Sequence, residues 1–303
     1  MNQVVHLTYF QAIWLGLLQG LTEFLPVSST AHMAIAPQLM GLADPGAPFS
    51  AVVQLGPIVA IIAYFRNDLA RYLRGIFRTK NPTRIPAADV DARLGWYVLI
   101  GTLPLAICGV LLEKKIDTVF RSLNVIAISL IALGLLLWCA ERVGRGTRTL
   151  EQMTWRQSQI IGLVQALALI PGTSRSGVTI TAALFQDLDH ESAARFSFLL
   201  SIPAIALAGL YKLLKVLKQT HLGHEAGPYL LAALVAGAFA YVVVRWFLGY
   251  MKSHRTDIFI AYRIILGLLL LYLLHTGYLR QPPAREISNA KPLHAQKIDI
   301  SPQ

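Results

Sequence analysis

The feature that most constrains this chain is a series of apolar runs suited to lipid rather than to a water-soluble core. Leu94–Leu112, Leu123–Ala140, Gly227–Tyr250 and Ile258–Tyr278 are each long enough to cross a hydrocarbon core, which takes about 20 helical residues. Ser192–Leu214 and the shorter Ser50–Tyr64 read as two further spans. A lipid-exposed backbone must bond its own N–H and C=O groups, and a helix does so within one segment. The expected class is therefore an all-α integral membrane protein, with one membrane domain over residues 1–280. Composition agrees: 55% of the 303 residues are hydrophobic and 14% are charged, against roughly 25% charged in a soluble domain.

Two other function classes fall away early. The net charge of +11 does not point to nucleic acid, because the basic residues lie mostly in loops between spans and no nucleic-acid-binding signature accompanies them. Cys108 and Cys139 lie inside apolar spans and read as packing residues, not as a disulfide or metal pair. The N-terminus lacks a basic n-region and a small-residue cleavage site, so no cleavable signal is expected. Gln281–Gln303 is polar and reads as a disordered tail.

Organisation comes from internal similarity. Gln11-Ala-Ile-Trp-Leu-Gly-Leu-Leu-Gln-Gly-Leu aligns with Gln157-Ser-Gln-Ile-Ile-Gly-Leu-Val-Gln-Ala-Leu, with Gln, Gly and Gln in step. Each stretch reaches a proline, Pro26 or Pro171, and then a hydroxyl-rich turn. Each later meets a Phe-Ser pair, Phe49-Ser50 or Phe196-Ser197, opening a span with a central proline, Pro57 or Pro203. The order suggests duplication, with repeats at about 8–140 and 155–279. Gln11–Leu25 and Ile160–Ile170 are short and broken by Pro and hydroxyl residues, so both are expected to be re-entrant. Three true spans then separate equivalent points, which inverts the second half, as in many transporters. The Arg-rich loops Arg66–Arg93, Glu141–Arg156 and Met251–Asp257 fall on one side, assigned to the cytoplasm. Both termini then face outward. The opposite loops and span ends carry Lys114, Lys115, Arg121, Lys212, Lys215 and Lys218.

The chemistry lies in two polar segments, Gly16–His32 and Gly162–Gly177. In the first, Gln19 and Glu23 are four apart and share a helix face. Pro26 ends that helix, and Ser28, Ser29 and Thr30 suit the N-cap of the next, where backbone N–H groups attract phosphate. Ser29 and His32 are three apart, so a hydroxyl and an imidazole can lie side by side. An ionisable residue inside a membrane segment is costly and points to function. In the second, Pro171-Gly-Thr173-Ser174-Arg175-Ser176-Gly177, a lone Arg175 among apolar flanks needs an anion, either phosphate or Glu23 itself. Together these groups suit a multiply charged phosphate. A divalent cation fits phosphoryl transfer, with Glu23 and the Gln19 carbonyl as its thin protein share and substrate phosphates as the rest. Gln54 and Gln165 are further, unranked candidates for positions near the site.

At these residues the chain resembles the bacterial undecaprenyl-diphosphate phosphatase family associated with bacitracin resistance. The similarity extends through Phe49–Gly56 and Phe196–Pro203, and the span pattern matches to about Tyr278. The resemblance implies six spans plus two re-entrant helix pairs, and hydrolysis of undecaprenyl diphosphate to undecaprenyl phosphate in carrier-lipid recycling. It implies a divalent metal (Mg2+ or Ca2+), the bacterial inner membrane and a site open to the periplasm; a homodimer is a candidate assembly that the sequence does not fix. The acidic motif falls on Gln19 and Glu23, the serine nucleophile on Ser29, the histidine on His32 and the arginine on Arg175. Ser28, Thr30, Thr173, Ser174 and Ser176 complete the expected substrate-binding set. Many members have Glu where this chain has Gln19, which leaves Glu23 as the main acid. Ser28 and water stay open as alternative nucleophiles, and His32 and Glu23 both stay open as the base. A lipid transporter or flippase on the same architecture is the rival reading. An acid-phosphatase-like site fits less well: His190 and Asp189 read as a surface cluster with Asp187 and Glu191, capping the next helix.

Overall fold

The computed structural model describes residues 7–42, 46–79, 81, 85–118, 122–219 and 226–279. Among them the only pairing of strand type is an isolated bridge between Arg148 and Leu188. Eleven α-helices follow one another among the described residues: α1 (Tyr9–Thr22), α2 (Ser29–Leu39), α3 (Gly46–Val53), α4 (Leu55–Thr79), α5 (Val90–Thr118), α6 (Leu123–Val143), α7 (Trp155–Gln165), α8 (Arg175–Phe185), α9 (His190–Gln219), α10 (Ala226–Tyr250) and α11 (Asp257–His275).

Six stretches among the described residues are long and apolar enough to span: Phe49–Thr79, Val90–Leu112, Leu123–Val143, His190–Tyr211, Ala226–Tyr250 and Asp257–His275. They match the six expected runs, with one revision. By sequence Ser50–Tyr64 reads as a short span and Arg66–Arg93 as a long loop, but α4 stays helical to Thr79. Its second half is amphipathic, so arginines can face out while Tyr72 and Gly75 pack inward. The break between α3 and α4 at Gln54 precedes Pro57, which sits in the first turn of α4, where its missing N–H has no intrahelical partner to lose. The tail expected over Gln281–Gln303, and the side chains of Lys114, Lys115, Arg121, Lys212, Lys215 and Lys218, lie outside the described residues.

The outside of the bundle is apolar. Val110, Leu111, Leu234, Ile265 and Val59 are exposed, as expected where lipid is the solvent. Cys139 is also exposed and Cys108 partly so, so Cys139 is a surface thiol and not the buried packing residue expected. Two short helices are laid against spans by glycine. A Cβ on Gly16 of α1 would meet the Ala232 carbonyl of α10, and one on Gly162 of α7 would meet the Gly101 carbonyl of α5.

The basic loops gather at one end. Arg148 and the turn before α9 exchange backbone bonds, Arg148 N–H to the Asp187 carbonyl and Asp189 N–H to the Arg148 carbonyl, each at 2.9 Å. The Glu141 carboxylate, fully buried at the end of α6, accepts from His190 (2.9 Å), from Arg255 (3.1 Å) and from the Thr256 amide (2.8 Å) and hydroxyl. Asp189 caps α9 by accepting from the Ser192 amide at 2.7 Å. The Asp187–Glu191 region is thus occupied with capping and tying elements together.

Candidate active site

The two polar segments fold alike. Thr8 opens α1 and Thr154 opens α7, each through a reciprocal capping box with the Gln three residues on, Gln11 or Gln157. Each helix is followed by a turn and a second short helix. Ser28 caps α2, its Oγ accepting from the Ala31 amide at 3.4 Å. Ser174 caps α8, its Oγ accepting from the Gly177 amide at 3.1 Å. Both cap serines have positive φ, 72° and 67°, a conformation that costs roughly 1–3 kcal/mol outside glycine and persists where surroundings enforce it. Thr8 to Ser28 and Thr154 to Ser174 are the same distance in sequence. Leu169 therefore occupies the place of Glu23, and the offset between Pro26 and Pro171 is local to the turn.

The tips of the segments meet. Thr30 Oγ1 accepts from the Gly172 amide at 3.2 Å, and the Ser176 hydroxyl donates to the Leu25 carbonyl at 2.9 Å. Phe24 follows Glu23, is fully buried, and packs edge-on against Phe198 of α9 at 5.3 Å, which pins the turn that carries the acid.

Glu23 is the hub. Its Oε2 accepts from the Ser29 hydroxyl at 2.7 Å and from Gln19 Nε2 at 2.8 Å. Its Oε1 faces Arg175 Nη2 at 3.3 Å, in an ion pair whose side chains are 8% and 13% exposed. Arg175 also donates from Nη1 to the Ser201 carbonyl at 3.1 Å, which ties it to α9. Gln19, Glu23, Ser29 and Arg175 thus form one bonded set drawn from both segments. His32 stands apart from it. Its Nδ1 lies 2.8 Å from the Ser28 carbonyl, which only accepts, so Nδ1 carries a proton. Its Nε2 lies 2.6 Å from the Tyr262 hydroxyl of α11, and in the neutral ring it accepts from that hydroxyl. The two rings are parallel, with centroids 5.7 Å apart.

The remaining expected residues mostly shape the turns. Ser28 Oγ and Thr30 Oγ1 share a bond of 2.9 Å, as do Ser174 Oγ and Ser176 Oγ at 3.1 Å. Thr173 Oγ1 donates to the Ile170 carbonyl at 2.7 Å. The short helices α2 and α8 begin at Ser29 and Arg175, so both side chains sit where backbone N–H groups favour negative charge.

For a divalent cation the donor types fit. The Glu23 carboxylate, the Gln19 carbonyl and the Ser29 hydroxyl are all hard oxygens. Among the described residues no group of three or more His, Cys, Asp and Glu could hold a metal by itself, so substrate phosphates would have to complete the coordination.

Two residues escaped the sequence reading, Tyr262 and Arg263. Arg263 lies in the apolar run of α11, fully buried, and donates to the carbonyls of Pro26, Gly172 and Thr173. Like Arg175, it is a lone guanidinium among apolar neighbours, and such a residue inside a span points to function. Tyr262 carried no such signal, since a tyrosine in a span is ordinary.

The chain is similar to known proteins over most of its length. A family model described as bacitracin resistance protein BacA matches residues 12–269. A protein of Pelodictyon phaeoclathratiforme named undecaprenyl-diphosphatase is 47% identical over 290 residues, covering 90% of this chain and all of the relative. One of the same name from Myxococcus xanthus is 48% identical over 277 residues, covering 90% of this chain and 91% of the relative. Another, from Mycobacterium sp. (strain KMS), is 46% identical over 274 residues, covering 89% and 98%. The matched region takes in both polar segments, five of the six apolar helices whole and the sixth as far as residue 269, and the chain belongs to the bacitracin resistance protein BacA family.

Proposed function

We propose that this chain is an undecaprenyl-diphosphatase, hydrolysing undecaprenyl diphosphate to undecaprenyl phosphate and phosphate, and so supports carrier-lipid recycling, cell-wall synthesis and bacitracin resistance. The observation that carries this reading is the Ser29 hydroxyl donating to the Glu23 carboxylate, with Arg175 on the other carboxylate oxygen. An acyl-type triad is not needed: a carboxylate can take the proton, and an arginine beside it supplies positive charge for the phosphoryl oxygens.

In the proposed mechanism Ser29 Oγ attacks the terminal phosphorus while its proton passes to Glu23. The Ser–O–P bond forms as the bond from phosphorus to the bridging oxygen breaks, and undecaprenyl phosphate leaves. Arg175 exchanges its pairing with Glu23 for the phosphoryl oxygens as Glu23 becomes neutral. Water then attacks the phosphoserine, releasing phosphate and returning the proton to Ser29. Ser29 is favoured over Ser28 as nucleophile because the Ser28 hydroxyl already caps α2 and bonds Thr30. Glu23 is favoured over His32 as base because Nδ1 of His32 is a donor and Nε2 is held by Tyr262. Gln19, Thr30, Thr173, Ser174 and Ser176 line and shape the phosphate site. A Mg2+ or Ca2+ ion held by Glu23, the Gln19 carbonyl and the substrate would add positive charge toward the diphosphate.

The reading includes a topology. The pairs α1–α2 and α7–α8 are re-entrant, and the two halves are an inverted repeat, supported by their shared capping and their meeting tips. The Arg-rich end faces the cytoplasm and the site opens to the periplasmic side of the bacterial inner membrane. A homodimer in the bilayer is part of the proposal.

The test is phosphate release from a prenyl diphosphate by the purified protein in detergent, followed by rapid quench with labelled terminal phosphate. Label on Ser29 is expected. Label on Ser28, or none during turnover, overturns the nucleophile assignment. Substrate binding without phosphate release favours a transporter.

A further inference from the structure

We propose that Arg263 is a positioning residue of this site: from α11 it holds the turns of both polar segments at a fixed spacing, so that Ser29–Glu23 and Arg175 face one diphosphate. This rests on the hydrolase reading for its chemistry, though not for its geometry.

Arg263 is fully buried, and among the described residues it is in no ion pair. An arginine placed so far from water without a carboxylate is costly unless its donors are used. Here the two Nη groups go to backbone, while the buried Nε has no partner among the described residues. Nη1 lies 3.4 Å from the Pro26 carbonyl in the first segment, and Nη2 lies 2.7 Å from the Thr173 carbonyl and 3.4 Å from the Gly172 carbonyl in the second. These carbonyls sit in turns between short helices, where no helical partner exists for them, and an unbonded carbonyl inside a membrane protein is destabilising. The planar guanidinium spans the gap between the two turns with donors in fixed relative positions, which a lysine cannot do. Two further ties cross the same junction, Gly172 to Thr30 and Ser176 to Leu25.

Gly177 gives a second line of support. It is the third residue of α8, and a Cβ there would collide with Arg263 Nη1. Glycine at this position is what leaves room for the guanidinium. The consequence for reactivity is direct. Pro26 lies three residues before Ser29, and Thr173 two before Arg175. Releasing the turns would let nucleophile and cation drift apart, and a displacement of about 1 Å can cost on the order of 10²-fold in rate.

The experiment uses the full chain in detergent, with farnesyl diphosphate as probe substrate, and compares Arg263→Met, Arg263→Lys and Gly177→Ala. The expected result is a fall in kcat of roughly 30- to 100-fold for Arg263→Met, a smaller fall for Arg263→Lys, and a loss resembling Arg263→Met for Gly177→Ala. A residue that only stabilises the fold would cost the same factor in any background. A positioning residue should cost less once Arg175 is already impaired, so Arg263→Met placed on Arg175→Lys is expected to cost less than about 3-fold more. Hydrogen exchange supplies a readout independent of hydrolysis: amides of 24–30 and 170–176 should lose protection together in Arg263→Met. The proposal is overturned if Arg263→Met keeps kcat within about 3-fold, if its cost is equal in both backgrounds, or if only one turn loses protection. Should Arg263→Met fail to fold, Gly177→Ala decides on the same two readouts. A wild-type protein that releases no phosphate sinks the hydrolase reading alone, and the exchange result still tests the geometry.

Discussion

The two polar segments are the same backbone carrying different chemistry. Both start at a Thr capping box, both turn at a serine with positive φ, and both launch an 11-residue helix. The first places Glu23 one turn after Gln19. The second places Leu169 one turn after Gln165. The outcome for the glutamines is opposite. Gln19 donates to Glu23 at 2.8 Å, whereas Gln165 is fully buried with neither amide atom bonded among the described residues. At the helix start the first segment has Ser29 and the second Arg175. The difference shows that one scaffold can supply a carboxylate and a hydroxyl from one copy and a cation from the other. Neither copy alone could do so without burying an uncompensated charge.

The sharpest way to break this comparison is to remove the acid. Glu23→Gln is expected to lower phosphate release by about 10³-fold or more, since it removes the proposed base and unpairs Arg175. Leu169→Ala, at the equivalent place, should stay within about 10-fold, because it costs packing and not chemistry. Loss of activity equal to Glu23→Gln would mean that the second segment holds more than a cation.

Next in size is Arg175→Lys. The charge survives but the planar fork does not, so kcat/KM should fall about 10²-fold, with a rise in KM on prenyl diphosphate. Steady-state kinetics that separate kcat from KM check this. An unchanged KM would argue that Arg175 only pairs Glu23.

His32 has no counterpart in the second segment, where Val178 takes its place. Tyr262→Phe keeps the parallel ring and deletes the hydroxyl that bonds Nε2. A loss of roughly 10-fold in kcat is expected if His32 orientation matters to turnover, with melting temperature nearly unchanged. Full activity would reduce His32 to a support for the Ser28 turn.

The smallest effects separate the glutamines. Gln165→Met should leave activity within about 3-fold and raise stability by about 1 kcal/mol, because it removes two unbonded buried groups. Gln19→Glu should make activity more sensitive to chelator, since a second carboxylate beside Glu23 calls for a cation. Thermal melts and activity with graded EDTA measure both.

Much of this was legible in the linear chain because the membrane leaves few options. Long apolar runs give spans, a Pro with hydroxyls gives a broken helix, and a charge in such a place needs a partner. Glu23, His32 and Arg175 stand out on those grounds, and Ser29 through its spacing to His32 and the family resemblance. Two readings near the spans were not legible. The Arg-rich stretch after Arg66 looks like a loop until its inward face, Tyr72 and Gly75, is seen packed on α5. The prolines mislead the alignment of the two copies by one residue, and only the caps at Ser28 and Ser174 place Leu169 against Glu23.

What the sequence determined by itself was the solvent, the helical class and the residue types of the site, since each follows from local composition and spacing. What only the tertiary structure decided was pairing. Ser29 bonds Glu23 and not His32, His32 bonds Tyr262, and Arg263 reaches both turns from a helix some 90 residues beyond the nearer one. Such choices depend on how α11 and α9 pack across the two short helix pairs. Residue spacing along the chain limits which atoms can meet within a helix, but only packing selects among partners that are distant in sequence.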